Sequence, residues 1–394
     1  MSKIIPSELG ICAAEGFYTD GIAIGLKTDN QKDLAFIYSD TPCEIASVFT
    51  TNKMTAAPIR HFRSLGDFKS NFVLINAKNA NAMTGAAGID DIAEILSAVQ
   101  EKYPQLQNPV MSSTGVIGVR LPKEKILTGA LSFDLDKKEP VSASEAIMTT
   151  DTFAKRIAFD IECESGKFSI GAMAKGAGMI NPAMATMLCF ITTDADVDAA
   201  TMQELLDEKI KTTFNAASVD GDTSTNDTVM LLSSRKSGAF DKEAFGEALR
   251  RVMHFLALEM VSDGEGATKL VEYEVTGAKD DEEAEIAAKA LSDSLLVKTA
   301  LFGEDPNWGR IASTIGASGI ECDEATLSIS FNDLCVYEKG KLLFDEKMEI
   351  KAAEVMKLSE FTISCDIGIA KGKFTAYGCD LGHEYVKINA DYRT

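Results

Sequence analysis

Histidine is scarce in this sequence and cysteine is unpaired. There are 3 histidines among 394 residues, and none has an obvious serine or cysteine partner, which argues against a histidine-based triad. His61 and His254 read instead as surface or satisfied core residues. The 8 cysteines, at 12, 43, 163, 189, 322, 335, 365 and 379, are scattered without a C-x-x-C pair. A Cys/His zinc site is therefore disfavoured and no metal is expected; the thiols read as reduced, mostly small core residues of a cytoplasmic protein. Basic charge is also short, with 39 Lys+Arg against 60 Asp+Glu and a net charge of −21. Nucleic acid and anionic membrane both need a basic face, so neither is expected as a partner. A small anionic substrate stays open, because one well-placed lysine outweighs a distant acidic surface.

Long apolar runs are missing too. None approaches the ~18 residues of a membrane span, and the opening MSKIIPSELGICAAEGF lacks the apolar core of a signal peptide. Phosphate-cradling and nucleophile-elbow motifs are absent, and TGVIGV lacks the dinucleotide spacing. VDGDTSTND sets Asp220, Asp222 and Ser224 at calcium-loop positions, but Thr225 stands where glycine is required and Leu231 where glutamate is required. It reads as a structural loop whose Asp and Thr side chains cap backbone groups.

What is present alternates between strand-like and helical stretches. DLAFIYSD and NFVLINA read as strands, and so do FSIGAMAKGAGMI and TMLCFITTD, which flank a loop. GIDDIAEILSAVQEKY carries Ile89, Ile92, Ile95, Leu96 and Val99 at helical spacing. DAATMQELLDEKIKTTFNAA, KEAFGEALRRVMHFLALEMV and EEAEIAAKALSDSLLVKTAL each read as one amphipathic helix. From about Ala325 the pattern is short strands with one helix near KAAEVMKLSE. The fold class is mixed α/β (α+β) with layered sheets. The polar run Gly277 to Glu283 is the best linker, dividing a main catalytic region, 1–280, from a smaller C-terminal domain, 281–394. In FGEDPNWGR, Asp305 reads as a helix cap with Pro306 at the first helical position, and Trp308 as packing.

Thr186 stands where loop gives way to apolar strand. A threonine opening a strand is ordinary, since β-branched residues favour extended backbone. The chemical alternative is that the chain is cut just before it, so that the freed α-amine serves as base for the hydroxyl. Its unperturbed pKa near ~8 suits that task. Ala185 is the small residue such a cut needs, with the loop KGAGMINPAMA ahead and the strand MLCFITTD behind. In SSTGVIG, the Thr114 hydroxyl and the Gly115 N–H could serve one oxyanion.

Taken together, SSTGVIG, TTDT, KGAGMINPAMATMLCFITTDA, VDGDTSTNDT, DGEGATK, TALFGEDPNWGRI and VKINADYRT resemble, end to end, the ornithine acetyltransferase family of arginine biosynthesis, the glutamate N-acetyltransferases. The resemblance implies sheets sandwiched by helices, like N-terminal-nucleophile hydrolases in chemistry but with their own topology. It implies self-cleavage between Ala185 and Thr186, giving chains 1–185 and 186–394 that associate as α2β2. Thr186 would take acetyl from N-acetylornithine and pass it to glutamate, with Thr114 and Gly115 as oxyanion hole. Thr152, Lys175, Thr186, Glu265, Asn389 and Thr394 would bind substrate. No cofactor is implied, though acetyl-CoA can serve some members as co-substrate. Gly382 stands where a hydroxyl is expected, and Cys189 where a small apolar residue is usual. The competing readings are an N-terminal-nucleophile aminopeptidase or amidase, and a non-catalytic binding protein.

Overall fold

The computed structural model describes residues 2–181 and 187–391. Two sheets organise them. The larger, of nine strands among the described residues, runs Lys3–Pro6, Lys155–Cys163, Gly166–Lys175, Leu188–Thr193, Thr228–Ser233, Leu34–Phe49, Ser70–Asn76 and Val110–Ser113, and the ninth, Phe17–Ile22, pairs with the first part of the long strand Leu34–Phe49. That long strand reaches two neighbourhoods: Leu34 to Ser39 pair with Ile22 to Phe17, and Glu44 to Phe49 pair with Ser233 to Thr228. Its 16 residues explain why one strand can serve both halves of the sheet.

Period-two side-chain alternation covers both faces of this sheet. On Leu188–Thr193, Cys189 and Ile191 enter one core with helices Ala199–Lys209 and Lys242–Ser262. Leu188 and Phe190 enter the opposite core, with Phe17, Val73 and Ile147. A strand buried on both faces reads as a continuous apolar run, which MLCFI is. Cys189 is fully buried in the first core, and burial pushes its thiol up.

The second sheet has seven strands, in the order Lys341–Leu342, Leu334–Glu338, Ser328–Phe331, Glu360–Asp366, Leu270–Ala278, Gly372–Cys379 and Ala217–Ser218. Val271, Tyr273 and Val275 alternate onto a core shared with the helices Asp281–Asp293, Trp308–Ala317 and Glu346–Met356. The polar run 277–283 is not a free linker. Gly277 and Ala278 end a central strand, and Asp280 caps the next helix by accepting the Glu283 N–H at 2.9 Å. The division at 280/281 therefore falls between two packed elements of one layer.

Four local expectations change. DAATMQELLDEKIKTTFNAA is an α-helix only over Ala199–Lys209, followed by the short 3-10 turns Ile210–Thr212 and Phe214–Ala216 and the start of the strand Ala217–Ser218. EEAEIAAKALSDSLLVKTAL is two helices, Asp281–Asp293 and Leu295–Phe302, because Ser294 leaves helical backbone and its hydroxyl accepts the Val297 N–H. The cap of Trp308–Ala317 is Asn307, not Asp305; the Asp305 carboxylate instead accepts from the Asn307 amide. The C-terminal stretch holds a second helix, His383–Asp391, besides Glu346–Met356. Trp308 does pack, stacking on Tyr337 with centroids 5.3 Å apart.

Candidate functional site

A cleft of about 300 Å³ opens where both sheets and the C-terminal helix meet. Thr114 and Gly115 enter it just past the end of Val110–Ser113. Thr114 is 2% exposed and its N–H donates to the Asn76 carbonyl at 3.0 Å. Gly115 has φ +129°, and a Cβ there would lie 2.2 Å from the Lys78 carbonyl carbon. Only glycine fits that turn. Asn226 braces the same strand end by donating to the carbonyls of Ser113 at 2.8 Å and Ala80 at 2.6 Å.

Lys175 is the last residue of its strand and pairs in register with Leu188. Residues 175 and 188 thus end one strand and open its antiparallel neighbour, and Lys175 lines the cleft. Ala185 and Thr186, between them in sequence, lie outside the described residues, as does Thr394. Met187 is described: its N–H donates to Asp227 Oδ1 at 3.0 Å, and its carbonyl accepts from the Thr228 N–H. Asp227 is fully buried, and among the described residues its Oδ2 has no partner of hydrogen-bond geometry. Burial pushes its carboxyl well above the ordinary range, against the Met187 hydrogen bond and the Lys175 charge.

The electrostatics of the cleft centre on buried charge. Lys175 is 2% exposed, lines the cleft, and has no hydrogen-bond or salt-bridge partner among the described residues. Burial lowers its pKa, while Asp151 works in the opposite direction. Asp151 Oδ1 accepts from Lys155 Nζ at 2.8 Å and from the Gly176 N–H at 2.7 Å, and Oδ2 accepts from the Thr149 N–H at 2.9 Å. Burial alone would raise Asp151, but Lys175 and Lys155 hold it down at about 2.

Thr152 is not among the residues that line the cleft; Thr149 and Thr150 are. The Thr152 hydroxyl and N–H both donate to Asp263. Glu265 lines the cleft and is tied by its N–H to the Ala177 carbonyl at 2.8 Å. Asn389 donates to Glu265 Oε2 at 2.7 Å, so the C-terminal helix does reach the cleft. The structure thus brings Thr114, Gly115, Lys175, Glu265 and Asn389 together around one space.

VDGDTSTND, read mainly as a capping loop with lining of the site as the lesser alternative, does both: Asp220, Asp222 and Thr223 line the cleft, and Asp220 accepts from the N–H groups of Met179 at 2.7 Å and Ile180 at 2.9 Å. Tyr385, on the C-terminal helix, escaped the sequence reading; it lines the cleft and donates to Asp220 at 3.2 Å. Spacing alone carries no signal for a contact across 165 residues.

A layered α/β body with a small charged cleft, built around glycine-permitted backbone donors and a desolvated lysine, defines an enzyme by class. The ArgJ family model matches residues 18–394. The chain is 62% identical to the "Arginine biosynthesis bifunctional protein ArgJ" of Wolinella succinogenes, over all of both chains. It is 43% identical to the protein of the same name from Chlorobaculum tepidum, covering 99% of this chain and 98% of that one. Among solved structures it is similar to ArgJ of Bacillus halodurans, with TM-score 0.48 and 40% identity over 51% of this chain and 97% of that chain. It is also similar to the ornithine acetyltransferase of Mycobacterium tuberculosis complexed with ornithine, with TM-score 0.41 and 29% identity over 48% of this chain and all of that one. The chain belongs to the ArgJ family.

Proposed function

We propose that this chain is an acetyltransferase of L-arginine biosynthesis that moves acetyl from N2-acetyl-L-ornithine to L-glutamate. The reading is carried by the grouping of Thr114, Gly115, Lys175 and Glu265 around one cleft, with Lys175 paired in register with Leu188, two residues after Thr186 in sequence.

The chain first cuts itself between Ala185 and Thr186. The freed α-amine takes the proton of the Thr186 hydroxyl as its oxygen attacks the acetyl carbonyl. The Thr114 hydroxyl and Gly115 N–H receive the negative oxygen of the tetrahedral intermediate. As that intermediate collapses, the C–N bond to ornithine breaks and the proton goes to the leaving amine. The α-amine of glutamate then attacks the carbonyl of acetyl-Thr186, giving a proton to the Thr186 amine. As this second intermediate collapses, the C–O bond to Thr186 breaks, the proton passes to the Thr186 oxygen, and N-acetylglutamate is released. Lys175 receives the substrate carboxylate in a largely dry setting, where a charged contact is strong. Glu265, Asn389 and Thr394 complete the binding of substrate, with Glu265 set for an ammonium group; Thr152, bonded to Asp263 and away from the lining, supports the site only indirectly. The relatives' word "bifunctional" is read as acetyl-CoA serving as a second acetyl donor. The cleaved chains stay together as α2β2 in the cytoplasm.

A denaturing gel of active protein tests this directly, and fragments 1–185 and 186–394 are expected. Thr186→Ala should show neither cleavage nor acetyl transfer. A single uncut chain in active enzyme overturns the mechanism. Acetate released without glutamate at the full rate would make the protein an amidase instead.

A further inference from the structure

We propose that Asp151 is a positioning residue that acts through Lys175, supplying the buried countercharge that keeps the Lys175 ammonium able to take a carboxylate. The proposal rests on the reading of Lys175 as the substrate-carboxylate site.

Four buried side chains form a balanced set. Lys155 and Lys175 are 1% and 2% exposed, and Asp151 and Asp263 are 8% and 5% exposed. Lys155 Nζ contacts both carboxylates, Asp151 at 2.8 Å and Asp263 at 2.5 Å. Asp263 is further occupied by the N–H and hydroxyl of Thr152. Asp151 faces the other way as well. Its oxygens hold the N–H of Gly176, the residue after Lys175, and the N–H of Thr149, on the cleft wall. One carboxylate therefore ties the strand end carrying Lys175 to the wall opposite.

The charges around Lys175 support the assignment. Burial disfavours its ammonium, and Lys155 does so too, while Asp151, Glu265 and Asp227 favour it in that order. Lys27, beyond them, lies within the electrostatic reach of both Asp151 and Lys175 and is held down at about 8, chiefly by burial. Glu265 Oε2 accepts a hydrogen bond from the Asn389 amide at 2.7 Å, and Asp227 is pushed toward its protonated form by burial. Asp151, held ionised and bonded beside the lysine, is left as the main source of opposite charge. Losing its charge would leave Asp263 to Lys155 and take from Lys175 the first of the carboxylates that favour its ammonium.

The test compares Asp151→Asn, Lys175→Met and the double variant with the unchanged enzyme, in acetyl transfer from N-acetyl-L-ornithine to L-glutamate across about pH 6 to about 9.5. Asp151→Asn should move the alkaline limb of kcat/KM to lower pH by about one unit and raise KM about tenfold near pH 8, with kcat within about threefold. In the Lys175→Met background, adding Asp151→Asn should change kcat/KM by less than about twofold. An unmoved limb, or an equal loss in both backgrounds with a lowered melting temperature, would make Asp151 a structural tie alone. Should Asp151→Asn not fold, competitive trace-labelling of lysines in the unchanged protein, read by mass spectrometry, decides. Lys175 protonated through neutral pH is expected, and a neutral Lys175 amine at pH 7 would overturn the proposal. The labelling also separates the two readings, because it reports Lys175 charge even in a protein that transfers no acetyl.

Discussion

Lys155 opens one strand and Lys175 closes the next, and the two strands are antiparallel neighbours in which Lys155 pairs with Ala174. Both lysines are essentially buried. Lys155 is closed on two carboxylates; Lys175 has no hydrogen-bond or salt-bridge partner among the described residues. A buried ammonium with its partners in place is part of the scaffold. One left open is costly to the fold and becomes intelligible as a place for a ligand's charge. Two residues of the same type and burial, on neighbouring strands, thus stand in different surroundings, and on the proposed function that difference separates a scaffold lysine from a substrate-binding one.

The sharpest way to break this comparison is to remove each lysine. Lys155→Met leaves Asp151 and Asp263 buried without their shared cation, and should cost about 3–5 kcal/mol of stability in urea unfolding. Lys175→Met removes a cation that no side chain bonds among the described residues, and should cost less stability than Lys155→Met, because Asp151 and Asp263 keep Lys155. Acetyl transfer by Lys175→Met should fall by about 100-fold or more in kcat/KM. Equal destabilisation by the two substitutions would show that Lys175 is scaffold as well.

A second contrast is between the carboxylates. Asp151 is held at about 2 because Lys175 and Lys155 outweigh its burial. The stability it contributes is present above the ordinary carboxylate value near ~4 and is lost as pH falls from there toward 2. Asp227 runs the other way. Burial raises it, so its contribution is full below the ordinary range and is lost as pH rises through its folded value. Melting curves against pH should show both slopes in the unchanged protein. Asp227→Asn should flatten the upper one and leave the acid one in place. An upper slope that persists in Asp227→Asn would place its origin in another buried acid, such as Asp220 or Asp293, both also raised by burial.

How far the sequence could reach follows from the same particulars. Apolar runs and helical spacing located the strands around Phe36, Leu74 and Phe190 and the long helix ending near Val261, because these signals are local and repeat along the chain. Lys175 stood out as a lone cation between glycine-rich loop and strand. Its open state could not be read there, since it depends on Asp151 being held by Lys155, a strand away. The bonds that shape the cleft join residues 111 apart for Thr152 and Asp263, 124 for Asn389 and Glu265, and 165 for Tyr385 and Asp220. No window of sequence contains both partners. The break at Ser294 was hidden for a different reason: the alanines and leucines on either side are strong helix formers, and one capping hydroxyl outweighs them.

The smallest predicted effect tests whether the open lysine depends on the helix that closes its cleft. Gly382 precedes the helix His383–Asp391, and a Cβ there would sit 2.4 Å from the ring of Phe302. Glycine at that position lets the chain pass close to the ring, which packs edge-on against His383 with centroids 5.6 Å apart. Because Phe302 is 37% exposed, its ring can swing outward, so Gly382→Ser should cost only about 1 kcal/mol, at the low end for overpacking. The shift would pass along the helix to Asn389 and loosen its bond to Glu265. KM for acetylornithine should then rise about two- to threefold with kcat unchanged, the pattern of weakened ground-state binding. The acid-side stability slope should stay as it is, since among the described residues the side-chain bonds of Asp151, Lys155 and Asp263 run to one another, to Thr149, Thr152, Phe153 and Gly176, and none to this helix. A slope that moved with Gly382→Ser would mean that the paired and the open lysine are coupled through the tail, and the division between them would fail.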